Sequence, residues 1–102
     1  MAAALNGVYG ISSHCFVESL LDLAKHFGAA VRQHRMLVRL SQEDLAERAS
    51  LDRTYISGIE RGRRNPSLKI LQQVADALGS DLDVIFATAR EIARKPTGKG
   101  QP

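Results

Sequence analysis

Between Leu51 and Ser67 the chain reads LDRTYISGIERGRRNPS, placing four arginines in seventeen residues. Wound as a helix at about 100° per residue, Arg53, Thr54, Ser57, Gly58 and Arg61 fall within an arc of about 140° that holds no apolar side chain. Ile56 and Ile59 point the other way. A flank of guanidinium and hydroxyl donors on a short rod suits hydrogen bonding to a polyanion whose surface carries acceptors. Arg53 can make a bidentate contact to guanine, Thr54 can offer its hydroxyl or its methyl group, and Gly58 would let a DNA backbone or base edge come close. Tyr55 lies at the border of the two faces, where half-buried packing with a wet hydroxyl and a DNA contact are both open. Arg61, Arg63, Arg64 and Asn65 then lead into a loop closed by Pro66, from which they can reach phosphates or a neighbouring minor groove.

Such a row works only if neighbouring elements hold it still. Ser41, Asp52, Ser67 and Asp81 each stand just before an apolar-periodic segment and can accept a bond from an otherwise orphaned backbone N–H. They predict helices over 42–49, 53–61, 68–78 and 82–92, with Gly79 as a stop signal. The inward faces are Leu45, Ala46 and Ala49; Ile56 and Ile59; Leu68, Leu71, Val74, Ala75 and Leu78; and Leu82, Ile85 and Phe86. Upstream, Phe16, Leu20, Leu23, Ala24, Phe27 and Val31 recur at helical spacing towards Met36 and Leu37. This predicts one long helix or two abutting ones, since Gly28 costs a helix interior about 1 kcal/mol relative to alanine and could mark a break. The fold class is all-α, a five-helix domain over residues 14–93 with room for an extra N-terminal helix. It is flanked by a flexible tail at 1–13 and a basic, disordered tail at 94–102.

The helices expected at 42–49 and 53–61 are separated by Ser50, Leu51 and Asp52 alone, which is helix-turn-helix spacing. One helix can brace across a phosphate backbone while the second lies in a major groove about 12 Å wide. An αα-hairpin without a ligand is the alternative. Gln42, first in its helix, can present its amide together with the helix's N-terminal N–H groups to a phosphate.

Composition agrees with this reading and narrows the rest. At 102 residues the chain supports one core. A net charge of +3 favours an anionic partner, and the placement of the cations says more, because Lys25, Arg32, Arg35 and Arg39 meet no acid between them. The single cysteine, Cys15, excludes an intramolecular disulfide and suits a reducing compartment. No apolar run approaches the ~18 residues of a membrane span, so a cytoplasmic protein is expected. His14, His26, His34 and Cys15 lack metal-ligand spacing, and no nucleophile turn or phosphate loop is present, so neither a metal, a cofactor nor an enzymatic activity is expected.

The run SQEDLAERASLDRTYISGIERGRRNPSLKILQQVADALGSDLDVIF resembles the Cro/phage-repressor-type (XRE) helix-turn-helix family over about residues 27 to 92. Within it, LDRTYISGIERGRRNPS is most similar to the controller proteins of restriction–modification systems and to related regulators on mobile elements. The resemblance implies a homodimer on a palindromic operator, repressing or activating transcription and regulating its own gene. It implies that Arg53, Thr54 and Tyr55 meet bases or the deformed groove, that Gln42 and Ser57 lie at the DNA backbone, and that Arg64 reaches DNA from its loop. It also implies a structural ion pair between Arg35 and Glu60. Ser50 stands where the family often has glycine, and about 20 residues precede the first family helix.

Two further surfaces have alternative readings. Leu82, Val84, Ile85 and Phe86 offer more apolar area than one inward face needs, fitting either a subunit interface or a broad core stripe. Glu43 and Glu47 either complement the helix dipole or, by the family resemblance, form an acidic patch for RNA polymerase. A different function class is also open: an antitoxin-like or adaptor protein whose N-terminal segment, with Phe16, Val17, Leu20 and Leu21, binds another regulatory protein.

Overall fold

The computed structural model describes residues 13–94, with side chains described from Asp22 onward. Five α-helices follow in order: α1 (Ser13–Leu37), α2 (Gln42–Ala49), α3 (Arg53–Glu60), α4 (Leu68–Leu78) and α5 (Leu82–Arg94). There is no strand among the described residues. The expected tails fall outside those residues apart from Ser13 and Arg94, which are already helical.

α1 is continuous through Gly28. The glycine marks a crossing rather than a break: a Cβ there would overlap the carbonyl oxygen of Ile59 and stand 2.8 Å from that of Glu60. α1 packs on α3 and on α5, α2 on α3 and α4, and α4 on α5. Between them lie Phe27, Ala30, Val31, Leu45, Ala46, Ile56, Ile59, Val74, Ala75, Leu78, Ile85 and Ala89, all buried. The rings of Phe27 and Phe86 meet at 4.9 Å, closing the α1–α5 contact. His34, on the same side of that contact, reaches Thr88 Oγ1 from Nε2 at 2.9 Å. The Thr88 hydroxyl also lies 3.1 Å from the Val84 carbonyl of its own helix.

Start and stop chemistry set the short helices. Ser41 closes a capping box with Asp44, and Ser67 accepts from the Ile70 N–H. Asp52 departs from expectation: its side chain makes no cap bond, and its backbone carbonyl receives Tyr55 N and Ile56 N instead. Four helices end alike, with a left-handed residue whose successor's N–H reaches back five positions, the pairing of the Schellman motif. The bonds are Leu40 N to Arg35 O, Leu51 N to Ala46 O, Arg63 N to Gly58 O and Ser80 N to Ala75 O. The left-handed residues are Arg39, Ser50, Gly62 and Gly79, of which only two lack a Cβ.

Several apolar residues read as inward-facing are not. Leu68 is 74% exposed, Leu37 71%, Met36 58% and Leu23 51%. Leu23, Leu37 and Leu68 lie on the apolar side of their helices, whereas Met36 lies about 180° from Phe27, on the opposite side of α1.

Candidate nucleic-acid interface

Both helices of the expected helix-turn-helix are present, joined through Ser50 in the left-handed conformation (φ 59°, ψ 43°). Leu51 packs against the core beneath the turn, and Gln73 Nε2 of α4 donates to the Ala49 carbonyl at 2.9 Å, tying α2's end to the next helix. α3 is divided by burial as its periodicity requires. Ile56 and Ile59 are buried, while Arg53, Thr54 and Arg61 are exposed and Tyr55 and Ser57 half-buried.

The polar side chains are not independent. Arg35 grips Glu60 with both arms, Nε to Oε2 at 2.6 Å and Nη2 to Oε1 at 3.0 Å, and its third nitrogen donates to the Leu40 carbonyl at 2.9 Å. The two side chains are 13% and 3% exposed, so α1 and α3 are joined by a largely desolvated pair. The hydrogen bond to Glu60, reinforced by its charge, holds the Arg35 guanidinium above its ordinary pKa against the opposing effect of burial. Glu60 Oε1 also accepts from Gln42 Nε2 at 3.0 Å, and Gln42 Oε1 accepts from Arg53 Nη1 at 3.3 Å. A buried anion thereby fixes which end of the Gln42 amide faces outward, and that oxygen faces Arg53. The Arg35–Glu60 pair is the one that the family resemblance implies, while the links through Gln42 to Arg53, 18 and 11 positions apart, carry no sequence signal.

Gly58 requires a correction. It is buried, and the space left by its missing side chain is taken by Arg64, whose Cγ would lie 2.8 Å from a Cβ built there. The close approach to Gly58 is made here by the protein's own arginine. The Arg64 guanidinium carbon then sits 5.1 Å from the centre of the Tyr55 ring, a cation–π contact of about 0.5–1 kcal/mol at such an exposed position. Arg63 and Asn65 are exposed in the same loop. A second correction concerns the expected subunit interface. Ile85 is fully buried and belongs to the core, Leu82 and Phe86 pack partly against it, and Val84, 43% exposed, remains accessible. Glu43 and Glu47 are both exposed on α2.

A family model described as helix-turn-helix matches residues 31–85. The chain belongs to the helix-turn-helix family. Among its relatives, a control protein of Bacillus amyloliquefaciens, C.BamHI, is 52% identical over 54 residues, covering 52% of this chain and 67% of that protein. The immunity repressor protein of Bacillus phage phi105 is 48% identical over 56 residues, 55% of this chain but 37% of the repressor, so the match spans little more than a third of that relative's length. Among solved structures, the restriction–modification controller protein C.Esp1396I, as a tetramer in complex with its natural 35 base-pair operator, superimposes with a TM-score of 0.67 at 36% identity. That match covers 72% of this chain and 96% of the controller. The helix-turn-helix segment of the family is thus the part that holds Gln42, Arg53 and the arginine loop, while the N-terminal part of α1 lies outside the matched family region.

Proposed function

We propose that the protein is a sequence-specific DNA-binding transcriptional regulator that reads a palindromic operator as a homodimer and acts on its own promoter. The observation that carries this reading is the division of α3, whose core side is fully buried while Arg53, beside Gln42, and Thr54 face solvent, with Arg61 exposed just past its end. α3 enters the major groove, where Arg53 and Thr54 meet base edges with Tyr55 at the groove wall. Ser57, Gln42 and the N-terminal N–H groups of α2 face the phosphate backbone. Arg61, Arg63, Arg64 and Asn65 extend the contact to the flanking phosphates. Val84 contributes to the subunit contact that sets two α3 helices about one helical turn apart. Control proteins and a phage repressor among the relatives, and the operator complex of the structural neighbour, support this reading.

Glu43 and Glu47, exposed on the far side of α2, are the surface through which a bound dimer would touch RNA polymerase. The residues of the adaptor reading, Phe16, Val17, Leu20 and Leu21, lie outside the described side chains; next to them Leu23 on α1 is exposed. Footprinting on the DNA upstream of the protein's own gene tests the main reading. A protected, two-fold symmetric site is expected, and Arg53→Ala should weaken it by about 1–3 kcal/mol while relaxing selectivity at one base pair per half-site. Absence of protection at modest salt would overturn it.

A further inference from the structure

We infer that Tyr55 and Gly58 form a seat for Arg64, which delivers this loop arginine to DNA as a fixed part of the α3 reading face instead of as a free-swinging cation. The inference rests on the DNA-binding reading above and deepens it.

Three features converge on the seat. The guanidinium carbon of Arg64 lies 5.1 Å from the Tyr55 ring centre, inside the ~6 Å reach of a cation–π contact. The stem of the same side chain crosses Gly58, where a Cβ would stand 2.8 Å from Cγ, 3.1 Å from Nε and 3.5 Å from Cδ. The loop's root is fixed as well: Arg63 N donates to the Gly58 carbonyl at 2.8 Å, and a Cβ at Gly62 would come within 2.7 Å of Lys25 Cα. Tyr55 and Gly58 are three positions apart and share one side of α3, so Arg64 lies back along a turn of the helix.

What this does for binding follows from the shape of the group. A guanidinium resting beside a ring keeps N–H donors available, and among the described residues the only ion pair is Arg35–Glu60, so no described acid takes those of Arg64. A phosphate can be met without the arginine leaving its seat. Less side-chain freedom is then lost on binding than for an arginine on an open loop. Gly58 and Tyr55 are therefore positioning residues acting through Arg64.

The test compares Gly58→Ala, Arg64→Ala and the double variant by fluorescence anisotropy on a duplex from the protein's own upstream region, over a salt series. Arg64→Ala should weaken binding about tenfold and lower the salt slope by about one. Gly58→Ala should weaken it by about three- to tenfold, and the double variant should bind no worse than Arg64→Ala alone. Wild-type binding by Gly58→Ala, or losses that multiply in the double variant, would overturn the seat while leaving the DNA reading standing. Alanine is the better helix former, so Gly58→Ala should melt no lower than wild type once Arg64 swings aside. If it fails to fold, Tyr55→Leu against Tyr55→Phe supplies the same comparison. A measurement without DNA separates the two readings: the Arg64 side-chain protons should be shifted upfield by the ring in wild type and Tyr55→Phe, and not in Tyr55→Leu. Unshifted protons in the wild type would sink the seat whatever the protein binds, whereas shifted protons with no operator binding would sink the delivery and the DNA reading together.

Discussion

Gly28 of α1 lies directly against the carbonyl oxygen of Ile59 at the end of α3, backbone on backbone. Two effects of a methyl group there oppose each other. Alanine gains about 1 kcal/mol of helix propensity over glycine. Overpacking costs about 1–3 kcal/mol, and here the obstruction is main chain, which cannot rotate away. With the rigid carbonyl in the way the clash wins, so Gly28→Ala should lower stability by up to about 2 kcal/mol, at roughly 4–8 °C of melting temperature per kcal/mol in a domain of this size. A variant melting above wild type would show that α1 can slide off α3.

Glu60 holds both Arg35 and Gln42, so its loss should be felt twice. Glu60→Gln leaves a mostly desolvated guanidinium uncompensated, which should cost about 2–4 kcal/mol, less than for a wholly buried pair because Arg35 keeps some access to water. It also releases the Gln42 amide that faces Arg53. Chemical denaturation should show the first effect and operator selectivity the second. Arg53→Ala, in contrast, should change denaturation by no more than about 0.5 kcal/mol.

Asp44 supplies a pH dependence. Its carboxylate accepts from the Ser41 backbone N–H at 3.2 Å, and Ser41 Oγ accepts from the Asp44 N–H at 2.9 Å. The bond from the Ser41 backbone, then that involving its side chain, lowers the Asp44 pKa below its ordinary 3.8. A lowered carboxylate stabilises the fold above its unfolded value and loses that contribution as pH falls through the folded one. The gap in melting temperature between wild type and Asp44→Asn should be full at neutral pH and close as pH drops below about 4. A gap that does not shrink at all as pH falls below that range would rule out the charged capping box as its source.

Leu68 and Leu71 occupy the same apolar stripe of α4 with opposite fates. Leu71 is 8% exposed and Leu68 74%. Leu71→Ala should therefore cost about 2–5 kcal/mol, and Leu68→Ser less than about 0.5 kcal/mol. Equal losses at the two positions would place Leu68 in a contact that forms only between molecules, which melting at several protein concentrations would detect.

The sequence-level reading succeeded wherever the cause was local. Ser41, Ser67 and Gly79 lie next to the ends they govern, and α2 and α4 begin and end where those residues place them. It failed where the cause was a distant element. Nothing near Gly28 shows that the end of α3 crosses there, and nothing near Gly58 shows that a side chain six positions later folds back over it. Periodicity also marks which side of a helix is apolar without marking how far along that side a neighbour extends. Leu68, expected to face inward, is exposed for that reason. At the candidate interface, the division of α3 is legible in the spacing of Ile56 and Ile59 and the Arg35–Glu60 pair in the family resemblance, while the extension from Glu60 through Gln42 to Arg53 exists only once α2 and α3 have met.

Ser50 and Arg39 make left-handed turns with a side chain attached, at φ 59° and 61°. Each carries a steric penalty of about 1–2 kcal/mol that a glycine would escape, offset by the extra freedom, about 0.5–1 kcal/mol, that glycine brings to the unfolded chain. The two linkers are consequently places where this protein sits below its own thermodynamic optimum. A bench scientist seeking a hardier version could start there, at two positions whose side chains are both exposed.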